Sequence, residues 1–189
     1  MLNNDSTKLF YKQIMQKHKK YLPLKHLLKP ESRTIIPEID LKDDIKLLDV
    51  ACGKGKLLFT LAGILKSFEF KGIDVSEKMI GRCKKKNIFS EIEFLVSPAD
   101  KLPFDDNYFD IITCTNAVSL FSQRVKAIDE MYRVLKPKGK LYILDGVRGT
   151  EWKQKFDKML RQIKFIQPRK KYLPRSSIMR KSYLIIETK

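Results

Sequence analysis

Two acids and two glycines define the chemistry open to this chain. The segment Asp49-Val-Ala-Cys-Gly53-Lys-Gly55 follows the apolar run Leu47, Leu48 and Val50, and Asp74 stands 25 residues beyond Asp49. Small residues at a turn let backbone N–H groups approach a ligand closely, and a helix starting there adds the positive end of its dipole. A carboxylate at the end of the next strand is placed to accept hydrogen bonds from ribose hydroxyls. The chemistry that needs this set is the binding of a nucleotide or nucleoside. A third glycine in G-x-G-x-x-G spacing would point to a dinucleotide, but Lys56, Leu57 and Leu58 follow Gly55.

The elements that must hold these residues can be read from hydrophobic period and turn chemistry. A buried strand ends at Val50, and Leu57, Leu58, Leu61, Ala62 and Leu65 recur at helical spacing after the turn. Glu69 to Asp74 reads as a second strand. Ser76 is an N-cap for the helix that follows, with Asn87 at its end. Glu91 to Val96 and Phe109 to Thr115 read as the third and fourth strands, Gln123 to Leu135 as a helix, and Lys140 to Gly146 as a fifth strand. Further on, Trp152 to Ile163 reads as a helix, Lys164 to Gln167 as a short strand and Ser182 to Thr188 as a clear strand. Strands alternating with helices give a doubly wound, mostly parallel α/β sheet. Ahead of it, Asp5 to Lys20 reads as an amphipathic helix, and Leu22 to Ile39, with Pro23, Pro30 and Pro37, as a connecting segment. The division expected is an N-terminal helical cap over residues 1–44 and a ligand-binding domain over residues 45–189.

With 189 residues and 43% hydrophobic content, the chain can bury a real core and is not disordered. No apolar run reaches the ~18 residues of a membrane helix, and the N-terminus lacks a signal-peptide pattern. The default expectation is an intracellular, cytoplasmic protein. Cys52, Cys83 and Cys114 have no metal-ligand spacing, and their odd number argues against a disulfide framework. No metal site is expected. The net charge is +17, and it is unevenly spread: +4 over residues 1–46, +3 over 47–146 and +10 over 147–189. Such a basic segment attracts anions, whether nucleic acid, acidic lipid or a charged substrate, and ordinary lysine-rich solubility explains it equally well.

The segment from Asp49 to Gly55 resembles motif I of the class I S-adenosylmethionine-dependent methyltransferases (D-x-G-x-G-x-G), with Ala51 in place of the first glycine, and it is closest to the type 11-like domain. Asp74-Val75-Ser76-Glu77-Lys78-Met79-Ile80 matches a second family phrase. Ala99 and Leu102-Pro103-Phe104 match a GDAxxLPF-like phrase, in which the usual acid is Pro98 here and Asp100 follows the alanine. Arg133 to Leu141 is close to RVLKPGG-x-L. The resemblance covers about residues 45–146. It implies a Rossmann-like sheet of seven strands with the last antiparallel, and S-adenosylmethionine as cofactor. Carried over residue by residue, it implies Asp49, Ala51, Cys52, Gly53 and Gly55 around the methionine end. Asp74, Val75 and Met79 then lie at the ribose side, Ala99 and Asp100 near the adenine, and Asn116 at the substrate or the methyl end. Asp110, at the start of its strand, reads as a structural carboxylate instead.

The reaction implied is in-line transfer of a methyl group to a nucleophilic N, O, C or S. The protein chiefly aligns the two centres and excludes water, and a general base is needed only when the acceptor arrives protonated. No catalytic residue is singled out. The acceptor expected is a small molecule, possible contacts being Tyr11, Tyr21, Ser119 and Arg169. Arg169 belongs to a basic loop, Pro168 to Arg180, expected at the cofactor edge. An RNA or protein acceptor held by the basic C-terminal segment, and a non-catalytic cofactor-binding subunit, stay open as alternatives. Oligomeric state is not legible.

Overall fold

The computed structural model describes Ile35, Ile36, Ile39, residues 41–63 and 65–146, Gln154, and residues 169–173 and 182–189. The expected helices at Asp5–Lys20 and Trp152–Ile163 lie outside the described residues but for Gln154, as do Tyr11, Tyr21 and the expected strand at Lys164–Gln167.

The elements run β1 (Ile45–Val50), α1 (Lys56–Ala62), β2 (Phe68–Asp74), α2 (Glu77–Lys86), β3 (Ile92–Val96), β4 (Phe109–Thr115), a 3-10 turn (Val118–Leu120), α3 (Arg124–Val134), β5 (Leu135–Gly146), β6 (Arg169–Leu173) and β7 (Ser182–Thr188). They build one sheet in the order β3-β2-β1-β4-β5-β7-β6. β1 to β5 pair in parallel, and β7 runs antiparallel to both β5 and β6. The order reverses beside β1, which lies between β2 and β4. In open α/β sheets, ligands bind at such a switch point, outside the carboxyl ends of the strands.

Both faces of the sheet are covered, so β1 is buried almost throughout rather than alternating. Leu48, Val50, Ile112, Cys114, Leu141 and Ile143 face α3 through Ala127, Ile128, Met131 and Val134. Their neighbours Leu47, Phe70, Ile111, Tyr142 and Leu144 face α1 and α2 through Leu57, Leu58, Leu61, Ile80 and Cys83. Successive residues of a strand point to opposite faces, which is why Leu47 and Leu48 belong to different layers. Ile35, Ile36 and Ile39 are buried in the second layer, in one cluster with Ile45. Residues ahead of position 45 therefore contribute to the core of the sheet domain.

Several boundaries move by a single residue, and two differences from the expectation are larger. β5 begins at Leu135 rather than Lys140, because Leu135 pairs with Phe109 before a register shift carries Lys140 opposite Ile111. Arg169 was expected in a loop but lies in β6, where it pairs with Ile186 of β7. The run Arg-Lys-Lys-Tyr-Leu is too charged to read as a strand, and pairing along β7 overrides that weak local preference. Arg169 sits at the outer edge of the sheet, with β4, β5 and β7 between its strand and β1. Among the described residues, no helix is long and apolar enough to cross a membrane.

Candidate active site

The turn after β1 is built from left-handed residues. Ala51 has φ 58°, Gly53 φ 55° and Gly55 φ 66°, conformations that cost an L-residue about 1–2 kcal/mol and glycine nothing. Alanine in place of the family's first glycine therefore carries that strain. The turn is held from β2: Cys52 N–H donates to Ile73 O at 2.8 Å, and Gly53 N–H donates to Asp74 Oδ2 at 2.9 Å. The other oxygen, Asp74 Oδ1, accepts from Ser76 N–H at 2.9 Å. Ser76 in turn caps α2, accepting from Met79 N–H at 3.3 Å. Asp74 thus ties the turn to the next helix, and each of its oxygens keeps a second lone pair for a ligand hydroxyl.

A Cβ added at Gly53 would meet no atom within 4 Å. Small size here keeps open the space above the turn rather than relieving crowding below it. Gly55 is the opposite case: a Cβ there would come within 2.9 Å of Phe94 Cζ and 3.1 Å of Phe59 Cε2.

Asp49 lies beneath the turn and is only 2% exposed. Thr113, across β4, donates its hydroxyl to Asp49 Oδ1 at 2.8 Å. Burial pushes the Asp49 carboxyl up to about 7; the Thr113 bond opposes this, and the charge of Asp74 adds to it. A buried carboxylate whose side-chain donor among the described residues is a neutral hydroxyl is short of a counter-charge, which a cationic ligand would supply. Cys52 and Cys83 are also in contact under the turn. Each thiol's proximity to the other raises Cys52 and lowers Cys83, and Cys83 donates to Gly53 O at 3.3 Å. The thiols act as small core groups that support the turn.

On one side of the turn, Val75 is 70% exposed, an apolar shelf at the end of β2, with Met79 half-buried in the first turn of α2. The loop after β3 closes this side. Ala99 is buried in the core cluster, so its small size serves packing. Asp100 is partly exposed and 4.0 Å from Lys126 Nζ. Arg133 latches the loop, donating to Leu102 O, Phe104 O, Glu130 and Asp106, while Glu130 accepts Leu102 N–H at 2.8 Å. These bonds hold Glu130 below its usual carboxylate range and raise Arg133 further. Arg133→Ala is expected to cost roughly 2 kcal/mol in urea unfolding, with Arg133→Lys restoring little, because a lysine cannot span the fork.

On the other side, Asn116 takes the left-handed conformation that asparagine tolerates (φ 54°), and its N–H donates to Leu144 O at 2.7 Å. Ser119 follows on the 3-10 turn, bonded to Asp145. Asp110 sits at the opposite edge. Its carboxylate accepts Lys46 N–H at 3.0 Å and Lys136 Nζ at 2.9 Å, a structural role.

The switch point thus gathers Asp49, the 51–55 turn, Asp74, Val75, Asn116 and Ser119; Arg169 lies apart on its edge strand. Thr113, Arg133 and Asp145 were not singled out from sequence. The signals for them are a threonine set among apolar residues of a strand, the arginine opening the RVLKP phrase, and an acid near the end of β5. The residues fit a cationic nucleoside-bearing methyl donor: open space above Gly53, a buried negative partner in Asp49, acceptor capacity at Asp74 and an apolar shelf at Val75.

Comparison with known proteins agrees. The family model described as a methyltransferase domain matches residues 48–143, just over half of the chain. The ubiquinone/menaquinone biosynthesis C-methyltransferase UbiE of Rickettsia prowazekii is 33% identical over 159 residues, covering 80% of this chain and 62% of its own. The demethylmenaquinone methyltransferase of Bacillus subtilis is 39% identical over 111 residues, covering 57% of this chain and 48% of its own. The chain spans about half the length of the curated relatives it matches. In solved structures the fold recurs in a SAM-dependent methyltransferase from Aquifex aeolicus, at TM-score 0.65 and 21% identity, covering 93% of this chain and 97% of that one.

Proposed function

We propose that this chain, which belongs to the methyltransferase-domain family, transfers a methyl group from S-adenosylmethionine to a ring carbon of a reduced quinone. The observation that carries the reading is the 33% identity extending over 80% of the chain to a quinone-biosynthesis C-methyltransferase. The reduced form is the reactive one, because a ring carbon must be electron-rich to attack a methyl group.

When bound, the cofactor supplies an already activated methyl group on a positive sulfur. The chain's own residues bind, orient and exclude water. Asp49 balances positive charge from below, and the 51–55 turn brings backbone close to the ligand. Asp74 accepts ribose hydroxyls, and the loop latched by Arg133 covers the adenine side. The acceptor is left the space over β4 and β5, beside Asn116 and Ser119. Alignment of this kind accounts for much of a methyl transfer barrier.

The test has two stages. Calorimetric titration with S-adenosylmethionine should give one-site binding, weakened roughly 10- to 100-fold by Asp74→Ala, which loses about two charge-assisted hydrogen bonds. Methyl transfer to a reduced, ring-unsubstituted quinone should then be followed by mass spectrometry. No binding and no transfer would sink the catalytic reading in favour of a cofactor-free partner protein. The +10 charge over residues 147–189 supports a second reading, an RNA acceptor. It requires RNA binding that weakens steeply with salt.

A further inference from the structure

The order β2-β1-β4-β5 places the two sides of the site at opposite ends of one row. Asp74 closes β2 on the ribose side. On the far side of the 51–55 turn, β4 and β5 end in a second polar constellation, in which Asp145 is 3% exposed. Its Oδ2 accepts Ser119 N–H at 2.8 Å, and its Oδ1 accepts the Ser119 hydroxyl at 3.4 Å. The 3-10 turn that carries Ser119 is fixed from outside by Arg124 Nη2, which donates to Ser119 O at 2.9 Å. Val118 of the turn and Ala117 just before it are buried, whereas Leu120, next to the serine, is 79% exposed.

We propose that Ser119 receives a hydroxyl of the methyl acceptor and relays its proton to Asp145, with exposed Leu120 forming an apolar wall for the acceptor ring. The inference rests on the quinol reading above. Capping the 3-10 turn requires only the 2.8 Å bond from the Ser119 N–H. The serine hydroxyl is surplus to that task, and its long bond to the second oxygen is of the kind that tightens only when substrate is bound. With its hydrogen directed at Asp145, the Ser119 oxygen presents lone pairs, which accept an acceptor O–H.

The proton balance is complete. The ring carbon forms a bond to the methyl carbon as the methyl–sulfur bond breaks, and that electron pair stays on sulfur. The electrons for the new bond come from the ring, so the acceptor hydroxyl becomes a carbonyl. Its proton passes to Ser119 Oγ as the serine's own proton moves to Asp145. The ring C–H proton then leaves to solvent while the carbonyl oxygen takes one proton from water to restore the hydroxyl, and Asp145 returns its proton to water through Ser119, so one proton is released for each methyl transferred. Ser119 touches the acceptor and is a catalytic residue; Asp145 acts through it and is a positioning residue.

The experiment uses the full chain, S-adenosylmethionine and 1,4-dihydroxynaphthalene kept reduced with dithionite, with the ring-methylated product measured by mass spectrometry. Ser119→Ala and Asp145→Asn keep the means to form the backbone cap, and calorimetric titration with S-adenosylmethionine shows that each variant is folded. Both should lower kcat on the order of 100-fold with cofactor affinity within about threefold of wild type, and Ser119→Thr should restore most of the rate. Wild-type kcat in both variants, or an equal loss in Ser119→Ala and Ser119→Thr, would overturn the relay while the quinol reading stands. A wild-type chain that binds cofactor and yields no methylated product overturns both.

Discussion

Gly53→Ala is expected to weaken S-adenosylmethionine binding on the order of 100-fold, about 2.7 kcal/mol, while the protein stays folded. The added methyl group meets no protein atom within 4 Å, so the fold feels only the left-handed backbone at φ 55°, a cost of about 1–2 kcal/mol. The open space is where a ligand's approach to the backbone must occur, and a Cβ there stands in its way. Gly55→Ala supplies the contrast. Its methyl group collides with Phe94 and Phe59, and overpacking adds roughly 1–3 kcal/mol to a similar backbone strain. Urea unfolding and calorimetric titration on the two variants should therefore separate: mainly lost binding at position 53, mainly lost stability at position 55. A Gly53→Ala protein that binds as wild type would mean that the ligand does not lie over this turn.

The contrast between those glycines was beyond the sequence, although their importance was not. What could be read was whatever is encoded locally. Ser76 and Asn87 bracket α2 because a capping hydroxyl and a short polar stop act within a few residues. β1 and β4 stand out because strands covered on both faces are nearly continuous apolar runs. The switch point follows from the alternation of strand and helix. What could not be read depends on partners far away in the chain. Thr113 is one more β-branched residue until β4 is placed beside β1, where it becomes the donor to Asp49, 64 positions earlier. Arg133 belongs to a recognisable phrase, yet its role as latch for residues 102–106 exists only in the folded loop. Ala99 matches a ligand-binding phrase, and only the fold shows that it also packs in the core cluster. β6 is hidden because a run of basic residues gains its extended form from pairing with β7, not from its own preference. Asp145 offered only a weak signal, since an acid at a strand end gains meaning only from what faces it.

Asp49 carries the other large prediction, in which stability and binding oppose each other. Its carboxyl is raised from 3.8 to about 7 in the folded protein, first by burial and further by Asp74, against the Thr113 bond. Between those two values the folded chain holds a proton that the unfolded chain has lost. Stability from this group is therefore fully present below about pH 4, declines as pH rises towards 7 and is constant above it. The gap of roughly three pH units corresponds to about 4 kcal/mol. Asp110 and Glu130, whose carboxyls are lowered by their partners, act in the opposite sense at acid pH, so the difference between wild type and Asp49→Asn isolates the effect. That variant should lose the decline between pH 5 and 7 and be more stable than wild type at pH 8 by several kcal/mol, as read by urea unfolding. It should also bind S-adenosylmethionine more weakly, because it has surrendered the buried negative charge that a cationic ligand neutralises. In the wild type, the same charge coupling requires binding below pH 7 to expel a proton, which titrations in buffers of different ionisation enthalpy would count. An Asp49→Asn protein with the wild-type pH slope would show that the carboxyl is not the titrating group. One that gained stability but bound as tightly as wild type would place the cofactor's positive charge elsewhere. The expected pairing, more stable yet weaker in binding, would identify Asp49 as a charge buried at the expense of stability for the sake of the ligand.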